Sequence, residues 1–247
     1  MVLDEAGPRS YTESMDINQS AVMPRAEAGL RHFMHMVFGW MSLGLFVTGA
    51  CGAYMASDPR MIVNLVHNTV LFYGIMIAEL GLVVVLSAWV SKMEVSTAKF
   101  AFLFYAALTG VSLSVIYLVY TAQSIASTFF LTAGVFGIMC AYGYVTKTDL
   151  TTIGNILFMA LIGLILATVV NYWLHSPAIE WATTYIGILI FTGLTAYDAQ
   201  KIKAMYDSAS DGTEIETKSA ILGALALYLD FINLFLSLLR AFGRRRD

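Results

Sequence analysis

Seven stretches of this chain, residues 33–56, 69–91, 100–120, 125–145, 152–174, 181–198 and 219–240, are long, apolar and almost free of charge. A helix needs about 20 apolar residues to cross the hydrocarbon of a bilayer, and each stretch reaches or nearly reaches that length. In lipid every backbone N–H and C=O must be satisfied within the protein, which leaves helices and closed barrels. Barrel strands alternate between lipid-facing and lumen-facing residues, whereas these stretches are apolar throughout. The fold class that follows is an all-α integral membrane protein with seven transmembrane helices. Charged residues make up 13% of the chain, against about a quarter in a soluble domain. The mean hydropathy of +0.72 agrees. The bilayer is thus the first partner implied. A net charge of -3, with no basic patch beyond Arg244-Arg245-Arg246, leaves no footing for nucleic acid.

Residues 1–30 are polar and mixed in charge, and lack the basic start, short apolar stretch and small-residue cleavage site of a secretory signal. They read as a mobile polar N-terminal tail. Residues 31–243 form the seven-helix domain, and 244–247 a basic C-terminal tail. Cys51 and Cys140 lie within apolar runs and read as small packing residues, not as a disulfide framework. Gly44, Gly49, Gly52, Gly134, Gly137, Gly187 and Gly193 recur inside the runs and mark places where helices approach closely.

Lysine and arginine placement predicts orientation. With the N-terminus cytoplasmic, Arg9, Arg25, Arg31, Lys92, Lys99, Lys147, Lys201, Lys203 and Lys218 fall inside. The outer loops hold only Arg60, until Arg240, Arg244, Arg245 and Arg246 arrive at the C-terminus. A last segment that enters and returns would keep every basic residue but Arg60 inside. The length of 219–240 favours a full span instead.

Ionisable groups inside apolar runs are costly there and need a reason. Three stand out: Glu79 and Asp230 near the middle of their runs, and Asp198 toward the inner end of its own. No Lys or Arg shares their depth. Burial and mutual repulsion both penalise the charged forms, so two that meet will share a proton. Such a pair is a pH-sensitive element or an oxygen-ligand site for a cation such as calcium. At about 1.5 Å per residue, Asp198 lies a turn or two nearer the inner face than Asp230. They meet only if the seventh helix starts deeper or one of them tilts. Each acid also has a plainer reading: Asp198 solvated at the interface, Asp230 paired with Asn233 or a hydroxyl, Glu79 a neutral acid bridging helices.

Other candidates carry less. His32 and His35 share a helix face without further metal ligands and read as interfacial. Residues 207–212 resemble a calcium loop only faintly, because Ala209 and Lys218 stand where oxygen ligands belong. Metalloprotease, nucleophile-elbow and P-loop motifs are missing. Leu229 precedes Asp230 where intramembrane aspartyl proteolysis would want Gly, so the chain does not read as an enzyme. Nor does an inverted repeat suggest an ion-coupled transporter.

Two segments are distinctive: GLTAYDAQKI at 193–202 and LYLDFINLFLSLLR at 227–240. Together with Glu79 and the seven runs, they resemble the Bax inhibitor family, also called the transmembrane Bax inhibitor motif family, from about Arg31 to Leu239. The resemblance implies a seven-helix bundle with the last helix at its centre. It implies that Asp198 and Asp230 form a hydrogen-bonded pair near the cytoplasmic side, gating a pH-dependent calcium leak, with Glu79 along the ion pathway. A relative carries a basic side chain in its second helix that pairs with the aspartates. Lys92 is the candidate here, with Asn233 as a second support. Calcium is the implied permeant ion and no cofactor is implied. The implied alternative is a regulator that binds a membrane-bound quality-control protease or other membrane partners, as a suppressor of stress or cell death. The chain's expected home is the bacterial inner membrane.

Overall fold

The computed structural model describes the backbone of residues 9–209 and 213–246 and the side chains of residues 27–206 and 214–246. Helices occupy most of this length: α1 (Arg9–Ser57), α2 (Pro59–His67), α3 (Thr69–Trp89), α4 (Val95–Leu113), α5 (Ile116–Val119), α6 (Ala122–Val145), α7 (Thr151–Leu174), α8 (Pro177–Ala209) and α9 (Thr213–Phe242). Seven helical segments are long and apolar enough to cross a membrane, and they coincide with the seven apolar runs. The third joins α4 to α5 through a kink. There Ser114 Oγ donates to the Val111 carbonyl at 2.6 Å, a back-bond of the kind that bends helices.

Several helices outrun their apolar cores. Backbone from Arg9 onward is already helical, so α1 begins within the polar segment expected to be a tail. The Ala- and Glu-containing stretch before Leu30 favours this, because extending a helix costs far less than nucleating one. Residues 199–218, read from sequence as the one long connection, are mostly the ends of α8 and α9. The connection between the first two runs holds the short helix α2. Asp58 caps it by accepting from Arg60 N at 3.0 Å, Pro59 sits at its start, and Ile62 and Leu65 are buried. Asp149, just ahead of α7, accepts from Thr151 N at 2.9 Å. Hydrogen bonds from the Thr151 hydroxyl and N–H hold its carboxyl below the usual carboxylate range. That cap is whole at neutral pH and is lost as acid protonates the folded protein.

α8 packs on α9, α7 and α6; α1 packs on α4 and α9; α9 also touches α6 and α4. α9 is the most buried of the seven spans, with Leu225, Leu227, Tyr228 and Leu234 at or near zero exposure. α3 and α7 are held differently. Among the spans, α3 packs chiefly on α4 and α7 chiefly on α8. Both are largely exposed.

α9 is one continuous helix, so the alternative of a segment that enters and returns is set aside. It delivers the C-terminus to the end opposite the lysines. There the chain pairs with the start of the fourth span: Thr121 N donates to Arg244 O at 3.2 Å and Arg246 N to Val119 O at 2.9 Å. Arg244 N also donates to Ser124 Oγ at 2.8 Å. Arg245 reaches Glu180 at 3.8 Å, an exposed pair worth little by itself. The basic tail is therefore fastened to the bundle as far as Arg246.

Candidate functional site

The GLTAYDAQKI segment is a run of fitted contacts. Gly193 faces Leu157, and Gly143 of α6 lies against the Ala196 backbone. The Tyr197 ring covers Gly154 of α7. Gln200 accepts from Leu150 N at 2.8 Å and donates to Thr148 O at 2.8 Å, tying α8 to the α6–α7 connection. Lys203 Nζ donates to Tyr144 O at 3.0 Å. Ile202 fills the space above Gly223 of α9. Asp198 is thus mounted on a stretch of helix gripped from three sides.

The register of α8 against α9 then decides what Asp198 meets. The two helices run antiparallel, with Ile202 against Gly223 near the lysine end and Gly187 against Ser237 farther along. Between these contacts Asp198 and Asp230 come close enough to interact across the α8–α9 seam. Asp230 is only 5% exposed, and Asp198 is half-buried. A carboxyl can donate only when protonated, so a hydrogen bond between the two requires that the pair hold a proton. By these contacts Asp198 is level with Ala226 and Leu227 of α9, so the offset from Asp230 read from sequence persists as about one turn, which the side chains span.

Asp198, Asp230 and Glu79 line one cavity of 1190 Å³ bounded by α3, α4, α7, α8 and α9. Glu79 enters from α3 beside Ser112 of α4, whose hydroxyl donates to Thr109 O at 3.1 Å. Two buried carboxyl oxygens, Glu79 Oε1 and Asp230 Oδ2, have no hydrogen-bond partner. Behind this wall Tyr228 Oη lies 2.6 Å from Thr48 Oγ1, and Thr48 Oγ1 donates to Ala106 O of α4 at 2.9 Å. A polar layer therefore joins α1, α4 and α9 at the level of the acids.

Neither expected support touches the aspartates. Asn233 lines the cavity, but its Nδ2 donates to Leu229 O at 2.8 Å on its own helix, as an amide in a helix readily does. Lys92 is exposed in the 3-10 turn after α3 and is not among the cavity-lining residues. The base in place is Lys201, one turn from Asp198 on α8 and part of the cavity lining. Its i, i+3 spacing from Asp198 was the legible signal. Thr48, Thr109 and Ser112 were not singled out from sequence either. Thr109 and Ser112 share the same three-residue spacing on α4. Gly49, Gly134 and Gly137, expected at helix contacts, meet nothing within 4 Å, whereas the expected Gly44 and Gly193 do sit at close approaches, as do Gly110, Gly143 and Gly154. Among the described residues no group of three or more His, Cys, Asp or Glu side chains comes together as a metal cage. His32 and His35 are exposed. Residues 210–212 of the faint calcium-loop segment lie outside the described residues.

The chain resembles known proteins over nearly its whole length. The family described as "Inhibitor of apoptosis-promoting Bax1" matches residues 30–247. The inner membrane protein YbhL of Escherichia coli K12 is 52% identical over 236 residues, covering 93% of this chain and 97% of that protein. An uncharacterized protein of Borreliella burgdorferi is 45% identical, with 87% of this chain and 93% of the relative covered. An uncharacterized membrane protein of Streptococcus pyogenes is 36% identical, at 92% and 99% coverage.

Proposed function

Because this chain belongs to the Bax inhibitor-1 family, we propose that it is a multi-pass protein of the bacterial inner membrane that leaks calcium under control of the Asp198–Asp230 pair. The observation that supports this reading most is the juxtaposition of two carboxyl groups on adjacent spans, at the wall of a cavity lined by a third acid. The lysine distribution supports entry of α1 into the membrane from the cytoplasmic side.

The shared proton holds α8 and α9 together. When it leaves, two like charges face each other in a poorly solvated place, and separation relieves the repulsion. Lys201 stands one turn away with a charge that offsets a negative one on Asp198. The separated state therefore has a partner for one carboxylate, and the other is free to meet a cation. Calcium prefers several oxygen ligands. Two aspartates and Glu79 offer a passing ion carboxylates without closing a resident cage, which suits permeation better than storage.

The sign follows directly. Opening needs proton loss, so flux rises with pH, at most about tenfold per pH unit for release of one proton. The test is calcium entry into proteoliposomes across a pH series. Asp198→Asn with Asp230→Asn replaces the proton-sharing pair by two amides that can still bond each other. The variant is expected to stay closed, with flux low and flat in pH. Variant and parent with the same flux and the same pH response would defeat the assignment.

A further inference from the structure

The cavity that holds the three acids is long. Its lining on α9 runs from Leu222 to Arg240, about 27 Å at 1.5 Å per residue, against the roughly 30 Å of a bilayer's hydrocarbon. Two basic residues belong to the lining, Lys201 and Arg240, and they stand at its opposite ends. Lys201 is level with Ala224 by the contacts that set the α8–α9 register, and Asp198 is one turn away. Arg240 lies ten residues past Asp230, about 15 Å along α9, too far to pair with it. Its Nε donates to Leu236 O at 3.3 Å on its own helix. Among the described residues no carboxylate forms an ion pair with it; Glu180 is taken by Arg245 instead. Arg240 is exposed. Between Asn233 and Arg240 the walls on α7 and α9 are apolar, with Leu164, Ile165 and Leu236 in the lining.

A basic residue in the last turn of a helix commonly offsets the helix dipole or anchors that end in the interface. Neither role needs the side chain to border a cavity. Building on the calcium-leak reading, we propose that Arg240 sets the pace and the charge selectivity of the leak. Its unpaired positive charge, at the end of the cavity away from the lysines, thins out cations there, divalent ions most. The Coulomb cost scales with the charge of the ion, so it weighs twice as heavily on calcium as on a monovalent ion. Low-dielectric walls focus the field of such a charge along the cavity. A route whose end repels its own permeant ion passes that ion slowly, which is what separates a leak from a fast channel.

The test is calcium flux through the full chain in phosphatidylcholine liposomes at one pH, for the parent, Arg240→Lys, Arg240→Gln and Arg240→Glu. Choline chloride sets the ionic strength. At about 10 mM, a charge about 10 Å from the ion is expected to leave Arg240→Lys like the parent, with Arg240→Gln about threefold and Arg240→Glu about tenfold faster. At about 1 M, where the Debye length is about 3 Å, the four are expected to coincide. The parent alone gives a readout that needs no variant: its flux is expected to rise about threefold between the two salt levels. A parent flux that stays flat or falls with salt overturns the assignment. So does a gain in Arg240→Lys as large as in Arg240→Gln, which would mark lost anchoring and not lost charge, or a gain that persists undiminished at high salt. A parent that passes no more calcium than empty liposomes sinks the leak reading itself, whereas a leaking parent with indifferent Arg240 variants sinks the role of Arg240 alone.

Discussion

Tyr228→Ala is expected to lower stability by about 3–5 kcal/mol, the range for removing a buried aromatic ring. The ring has no exposure and is held edge-on by Phe102 at 5.9 Å and Tyr105 at 5.7 Å. Helix association in lipid relies on such packing, because the tails are as apolar as the side chains. Tyr228→Phe keeps the ring and removes the hydroxyl. Thr48 Oγ1 then still donates to Ala106 O at 2.9 Å, so the expected cost is only about 0.6 kcal/mol, typical of interhelical hydrogen bonds in membranes. Unfolding of both variants by a denaturing detergent in mixed micelles measures the two costs. Similar losses for Phe and Ala would show that the hydroxyl, not the ring, holds α9 to α1 and α4.

The second large effect is expected at Gly143. A Cβ there would fall on the Ala196 carbonyl oxygen, and a backbone atom cannot turn aside as a side-chain tip can. Gly143→Ala therefore pushes α6 from α8, at a cost of about 1–3 kcal/mol as overpacked cores show. The displaced stretch carries Asp198 two residues on, so the variant should also lose the low, pH-dependent flux expected of the parent. Gly137→Ala on the same helix meets nothing within 4 Å and is expected to be neutral or slightly stabilising. If both alanine variants unfold at the same detergent fraction, the close approach of α6 to α8 is not what secures this part of the bundle.

The spans were legible because hydropathy averages over twenty residues and tolerates exceptions. Their ends were not. Polar helix continues beyond the apolar core in α1, α8 and α9. α2 had a readable start in Asp58-Pro59, the cap and first-turn pattern, but its nine residues are too short to register as a span. The acids were legible one by one, since charge in an apolar run is conspicuous. Their partners were not: which side of α3 carries Glu79 toward Ser112, and whether Lys92 or Lys201 reaches the aspartates, depends on helix rotation. Helix rotation also separates Gly143, wedged against backbone, from Gly137, which meets no neighbour, although both read as small residues in one run.

The zipper between the last arginines and residues 119–124 has a practical corollary. With an odd number of crossings, and the final arginines stitched down on the side remote from the lysines, the polypeptide's beginning and finish are expected to bathe in different solutions. A protease or membrane-impermeant label applied to one surface of sealed, uniformly oriented vesicles should reach one terminus and spare the other. A reporter enzyme appended after Asp247 would read out the compartment that the lysines never see.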